Sequence, residues 1–213
     1  MDNQGTIWLA MHTSGILYFN IIRQSFINYQ RSDGISDAET DESLLSNWTR
    51  TFAEGIDNSL WVGTTDGISI LDRKNQVFSA LRNETKTDEV LSNNSIRSLL
   101  NVDDRFMLIG TAKGLTRYDF KSGKSINYYP DIKNPLTLCG GFVYDIQRTS
   151  NGDIYLCTNK GLCRYNVDTE IFYNWIETPE IKEVFKEGNR GLAIDKNDVL
   201  WIAVGNGDIV EYH

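Results

Sequence analysis

Cysteine is scarce in this chain: Cys139, Cys157 and Cys163 are the only three. An odd number cannot build a complete disulfide framework. Cys157 and Cys163 stand across a predicted turn, which leaves one cross-strand bridge open to them. Their counterparts in the repeats described below are small residues, so small thiols filling small buried slots is the simpler expectation. Histidine is scarcer still, with His12 and His213 alone, and no Cys-x-x-Cys occurs. The usual zinc ligand patterns are therefore missing. No run approaches the 18 or so apolar residues of a membrane span. Basic clusters are also lacking: 21 Lys and Arg face 29 Asp and Glu, for a formal net charge of −8. That disfavours nucleic acid and anionic membrane surfaces as partners, because both need clustered cations. The opening Met1-Asp2-Asn3-Gln4-Gly5 has neither a basic nor an apolar region and does not read as a signal peptide.

What the chain does contain is repetition. Asp57-Asn58-Ser59-Leu60-Trp61-Val62-Gly63-Thr64-Thr65-Asp66-Gly67-Ile68 reads as a turn, a buried strand, a tight turn and the start of a second strand. Aligned on the turn glycine, the pattern recurs at Gly15, Gly67, Gly114, Gly161 and Gly207, with spacings of 52, 47, 47 and 46. Six residues before the glycine stand Trp61, Leu108, Tyr155 and Trp201; in the first copy Trp8 stands seven before. Each of these large residues follows a polar, Asp-containing turn.

Four short β-like segments fall in each period of about 47 residues. A single sheet of that size cannot bury both faces, but radial stacking does so, with the large residue as a wedge between neighbours. The fold class expected is all-β: a β-propeller of four-stranded antiparallel blades, about five in number. The units fall at approximately 1–30, 45–81, 91–129, 138–176 and 189–213, read as a single partial propeller over 1–213. The first unit opens on a second-strand motif and the last stops after a third, giving an expected strand count of 3 + 4 + 4 + 4 + 3 = 18. This predicts an arc of a larger, seven-bladed propeller, with a small five-bladed ring as the alternative. An arc exposes sheet edges and apolar faces and so predicts self-association. Thr178-Pro179 through Gly188 carries helix start and stop signals and predicts a short inserted helix.

Chemistry is sparsely written. The acidic residues mostly repeat with the turns, where they bond their own backbone. Asp33, Asp37, Glu39, Asp41 and Glu42 form an acidic loop without calcium-loop spacing and read as solvated surface. No Ser-His-Asp constellation and no Gly-rich phosphate loop appears. No catalytic residue, metal site or cofactor is expected. In a propeller the loop into the innermost strand and the turn between the middle strands share one face. That geometry nominates Asn47, Trp48, Asn94, Phe142 and Arg190 from the inner loops, and Asp66, Lys113, Lys160 and Asn206 from the turns. Trp48 and Phe142 break a pattern of small residues and offer surfaces for a sugar ring.

Leu91-Ser92-Asn93-Asn94-Ser95-Ile96-Arg97-Ser98-Leu99, followed by Asp103-Asp104 and Leu108-Ile109-Gly110-Thr111-Ala112-Lys113-Gly114-Leu115, resembles the two-component regulator propeller repeat. So do Leu60 through Ile68 and Asn134-Pro135-Leu136-Thr137-Leu138 with its downstream turn. The resemblance covers nearly the whole chain. It implies the extracytoplasmic sensor region of Bacteroidetes hybrid two-component histidine kinases, in which two seven-bladed propellers precede a β-sandwich, a membrane helix and a kinase. It further implies a periplasmic location and a ligand among oligosaccharides released from glycans. A protein-binding scaffold with no small ligand is the alternative; a propeller lyase or glycosidase is a third reading.

Overall fold

The computed structural model describes residues 6–20, 25–31, 43–85, 89–174 and 189–212. The acidic loop at 33–42 and the helix expected at 178–188 lie outside the described residues. Alternating or wholly apolar short segments, separated by turn residues, give strands in every unit. The first sheet holds β1 (Ile7–Met11), β2 (Gly15–Asn20) and β3 (Ser25–Tyr29). The second holds β4 (Thr49–Glu54), β5 (Leu60–Thr64), β6 (Gly67–Asp72) and β7 (Val77–Leu81), with a 3-10 turn at Ile56–Asn58. The third holds β8 (Ile96–Val102), β9 (Phe106–Thr111), β10 (Leu115–Asp119) and β11 (Lys124–Tyr128). The fourth holds β12 (Val143–Arg148), β13 (Ile154–Thr158), β14 (Gly161–Asn166) and β15 (Ile171–Asn174). The fifth holds β16 (Asn189–Ile194), β17 (Leu200–Val204) and β18 (Ile209–Tyr212).

Each sheet is an antiparallel meander in sequence order. The innermost strands β4, β8, β12 and β16 pack against one another in succession, and β1 packs on β4. The sheets do not close into a ring, so the fold is a partial β-propeller. The described residues give the expected eighteen strands.

Among the described residues the core forms four clusters, one at each junction between successive sheets. Trp8 packs with Leu60, Val62 and Phe78 of the next sheet. Trp61 packs with Met107 and Ile109 across the second junction. Leu108 packs with Leu156, Tyr165 and Phe172, and Tyr155 with Leu192, Leu200 and Ile202. The wedge role expected of the large residues therefore holds at all four junctions. It fails at Trp201, which is 39 % exposed, because no sheet follows the fifth among the described residues. Gly63 makes the close approach of blades feasible: a Cβ there would lie 2.6 Å from Ile96 Cγ2.

The turns explain the repeated polar residues. Gly67 has φ of +103°, a region that L side chains rarely adopt. Beside it the Thr64 hydroxyl donates to the Gly67 carbonyl at 2.9 Å and accepts from the Asp66 amide at 3.0 Å. Thr111 and Thr158 repeat this lock. At the opposite end, the Asp72 and Asp119 carboxylates accept from amides two and three residues on, as Asx turns do. Those bonds, led by the amides of Asn75 and Ser122 respectively, hold both carboxyls below their ordinary pKa.

The cysteines differ from expectation. Cys139 and Cys163 form a disulfide with a Cα–Cα distance of 6.1 Å, while Cys157 is free and buried. The strand register shows why Cys157 and Cys163 do not pair. Cys157 lies opposite Leu162 and Cys163 opposite Leu156, so the two sulfurs point to opposite faces of the sheet. Cys157 belongs to the junction with the fifth sheet and Cys163 to the junction with the third. Burial pushes the Cys157 thiol well above its ordinary pKa and leaves it a packing group.

Candidate ligand-binding rim

Four inner strands begin with the same irregularity. Register breaks fall between Thr49 and Thr51, Ile96 and Ser98, Val143 and Asp145, and Asn189 and Gly191. The skipped residues are Arg50, Arg97, Tyr144 and Arg190. A bulge leaves its extra residue out of the ladder and re-aims the side chain. Here it produces a row of large polar side chains at one end of the innermost strands.

The row is held by stacking. The Arg97 guanidinium lies 4.6 Å from the Phe142 ring centroid, and the Phe142 and Tyr144 rings are 4.3 Å apart. Arg190 lies 5.1 Å over the Tyr144 ring, and its Nη1 donates to the Tyr144 hydroxyl at 2.5 Å. Three consecutive inner strands thus carry one continuous side-chain array. Arg50 stands on the strand before. Desolvation, and then the like charge of Arg50, lowers the pKa of Arg97. Among the described residues no ion pair neutralises Arg50, Arg97 or Arg190; the pairs go to Arg73, Arg82, Arg117, Arg148 and Arg164.

The residues nominated from sequence divide into groups. Phe142 and Arg190 meet through Tyr144. Phe142 is a support rather than a free platform, since Arg97 and Tyr144 both lie against its ring. Lys160 sits in a hairpin tied to Phe142: Asn159 N donates to the Phe142 carbonyl at 3.0 Å, and Asn159 Oδ1 accepts from Phe142 N at 3.1 Å. Trp48 is 46 % exposed, with the His12 ring 4.4 Å away. Asn47 and Asn94 instead clamp backbone. Asn47 Oδ1 accepts from Arg31 N at 2.6 Å, and Asn94 bonds both the amide and the carbonyl of Asn83. Asn94 and Lys113 also line a separate groove of about 610 Å³ with Asn83, Glu89 and Tyr129. Asp66 pairs with Arg82 at 3.2 Å, and Asn206 bonds Asp208. Sequence reasoning missed Arg50, Arg97 and Tyr144. The available signal was their spacing of 47 and 47, with Arg190 a further 46 on, in repeat register.

The carboxylate nearest in sequence to this row is Asp145. Its oxygens accept from the Ile146 amide at 2.8 Å and from the Leu192 amide at 3.0 Å, which ties β12 to β16. Burial, partly offset by those amides, raises its pKa. The folded chain therefore holds this proton more tightly than the unfolded chain. The stabilisation is complete below the ordinary value of 3.8 and is lost as pH rises through the raised one. Asp145→Asn removes the titration and keeps an acceptor for Leu192, while its amide nitrogen takes the place of the oxygen that accepts from Ile146. Its unfolding free energy in urea should vary less with pH than that of wild type on the acid side. Asp145→Ala leaves the Leu192 amide unpaired and should lose about 1–3 kcal/mol.

No protein-family model matches the chain, and no curated protein matches it. Solved structures do. The extracellular domain of the hybrid two-component system BT3049 from B. thetaiotaomicron gives a TM-score of 0.64 at 21 % identity, covering 96 % of this chain and 31 % of that one. The extracellular domain of the hybrid two-component system BT4673 from the same organism gives 0.71 at 18 %, covering 99 % and 30 %. Virginiamycin B lyase from Staphylococcus aureus gives 0.65 at 14 %, covering 100 % and 67 %. These likenesses establish the propeller fold. The chain spans about a third of the length of the two extracellular domains it resembles.

Proposed function

We propose that this chain is a section of an extracytoplasmic sensor propeller that binds, without turning over, a glycan-derived oligosaccharide at its inner rim. The observation that carries the reading is the array Arg97–Phe142–Tyr144–Arg190, set on the same face as the exposed Trp48 indole. An indole face packs on the C–H face of a sugar, and fixed polar groups beside it orient the hydroxyls. Asp145, the acid beside the row, is occupied by two backbone amides, which favours binding over acid–base chemistry. The Cys139–Cys163 disulfide suits an oxidising compartment such as the periplasm, and the likeness to extracellular domains of two-component systems supports the same location. Isothermal calorimetry against a panel of oligosaccharides tests the reading. Binding of at least one member, weakened about tenfold or more by Trp48→Ala, is the expected result; silence across the panel would remove the saccharide reading.

A scaffold role has its own support in the two uncovered end faces. Leu9 is 45 % and Phe26 62 % exposed on the first sheet, and Trp201 39 % and Ile209 72 % on the last. The first-sheet face corresponds in the repeat to the one that Leu60 and Val62 bury, and the last to the one that Trp61 and Ile68 bury. The two ends are therefore complementary in kind, and head-to-tail association is the expected behaviour of the isolated chain. Sedimentation should show association that rises with concentration and is suppressed by Ile209→Asp. A monomer at all concentrations would count against it.

A further inference from the structure

The side-chain row is rich in guanidinium donors, and its Tyr144 hydroxyl already accepts from Arg190. A guanidinium carries five N–H donors and cannot accept, and the bulges place three of them, Arg50, Arg97 and Arg190, on one rim. The Nε of Arg97 is buried and has no hydrogen-bond partner. The Asp145 carboxylate accepts from backbone amides, and among the described residues no carboxylate forms an ion pair with these three arginines. The chain as a whole is acidic, at −8, so this is a local reversal of sign rather than part of a basic surface. A neutral sugar, whose hydroxyls both donate and accept, leaves such a lining poorly matched. An oxyanion accepts from several N–H groups at once and relieves the repulsion between Arg50 and Arg97.

Resting on the oligosaccharide reading above, we infer that the sugar recognised here is acidic: its carboxylate or sulfate group lies at Arg50 and Arg97, with Arg190 further along the row beyond the Phe142 and Tyr144 rings. Phe142 and Tyr144 act as positioning residues that hold the guanidinium planes, and Trp48 is placed to take the ring of a neighbouring sugar. Attraction of this kind is screened by salt.

Calorimetry on the whole chain with three probes tests the inference: a trigalacturonate, its fully methyl-esterified neutral form, and a sulfated chondroitin disaccharide. One or both acidic probes should bind at least about tenfold more tightly than the ester and lose affinity between about 0.05 M and about 0.5 M salt. The chondroitin disaccharide carries a uronate carboxylate beside its sulfate, so its desulfated form assigns the anion: sulfate if removing it abolishes binding, carboxylate if binding is kept. Arg97→Gln should remove that preference and Arg97→Lys should restore part of it. Arg50→Gln, at an exposed side chain, repeats the test should the Arg97 variants fold poorly. Equal binding of acid and ester, or acid binding indifferent to both arginine changes, overturns the inference and leaves the oligosaccharide reading standing. Silence towards all three probes, with citrate still bound in an Arg97-dependent way, removes the saccharide and keeps the anion site. Silence towards citrate as well removes both.

Discussion

Trp61→Ala should destabilise the chain by about 3–5 kcal/mol, the usual cost of emptying a large aromatic site. The same change at Trp201 should cost about 1 kcal/mol or less, as surface substitutions do. The two residues hold equivalent repeat positions and differ in what covers them. Trp61 is 4 % exposed, and its ring lies 5.4 Å from those of both Tyr118 on the next sheet and Phe120 in the turn that follows it. Trp201 is 39 % exposed, and its Nε1 donates to Asp195 Oδ2 at 3.5 Å. For a domain of this size the Trp61 loss corresponds to a fall in Tm of about 10 °C. Trp61→Phe, which keeps an aromatic wedge, should recover much of it. Urea and thermal unfolding of the three variants measure this directly. A Trp61→Ala loss no greater than that of Trp201→Ala would dismiss the wedge as the basis of blade packing.

That comparison also shows why the architecture was legible in the chain. Each blade repeats one local solution: an Asp turn, a compact apolar strand, and a Thr-locked hairpin at glycine. The strong features lie within about ten residues of each other, and the period puts them in register. Trp8, Trp61, Leu108 and Tyr155 could be assigned to junctions because the same position recurs with the same large apolar character. The exposure of Trp201 depends on what packs against the fifth sheet, which is not a local property.

The rim was legible only in part, for a different reason. Trp48 and Phe142 stood out as large residues where the repeats carry small ones, and Arg190 was nominated by its place at an inner-strand entry. Arg50 and Arg97 were not singled out, although both lie in segments read as inner strands. A bulge is a mismatch between two strands, so it cannot be read from one strand alone. Asn47 and Asn94 carry a second role that sequence does not display. Both lie on the expected face, but their amides fasten the loops that carry that face. A polar residue at a rim is as often part of the clamp as part of the site, and only partners at distance distinguish the two.

Breaking the Cys139–Cys163 bridge should cost about 3 kcal/mol, the value the chain-entropy account gives for a loop of this size. The bridge spans 24 residues and fastens the loop leading into β12 to strand β14. The neighbouring blade shows what it replaces. There Ser92 and Thr116, also 24 apart, occupy the equivalent positions, and Thr116 Oγ1 bonds Ser92 Oγ at 3.1 Å. The Ser92 amide donates to Thr116 Oγ1 at 2.8 Å, as the Leu45 amide does to Ser69 Oγ at 2.9 Å. The slot is thus a repeated contact between loop and hairpin strand, and in the fourth blade sulfur fills both sides of it. The combined Cys139→Ser and Cys163→Thr variant should rebuild the hydroxyl pair of the third blade and keep the loop in place. It should still be less stable than the oxidised protein, because the denatured chain regains its freedom. Cys163→Ala removes the acceptor as well and should lose about 1 kcal/mol more. Because this loop delivers Phe142, and Phe142 supports Arg97, reduction should also weaken any ligand bound at the rim. Thermal unfolding with and without reductant measures the first effect and calorimetry under the same two conditions the second. A melting curve indifferent to reductant would show that the bridge does not constrain the chain.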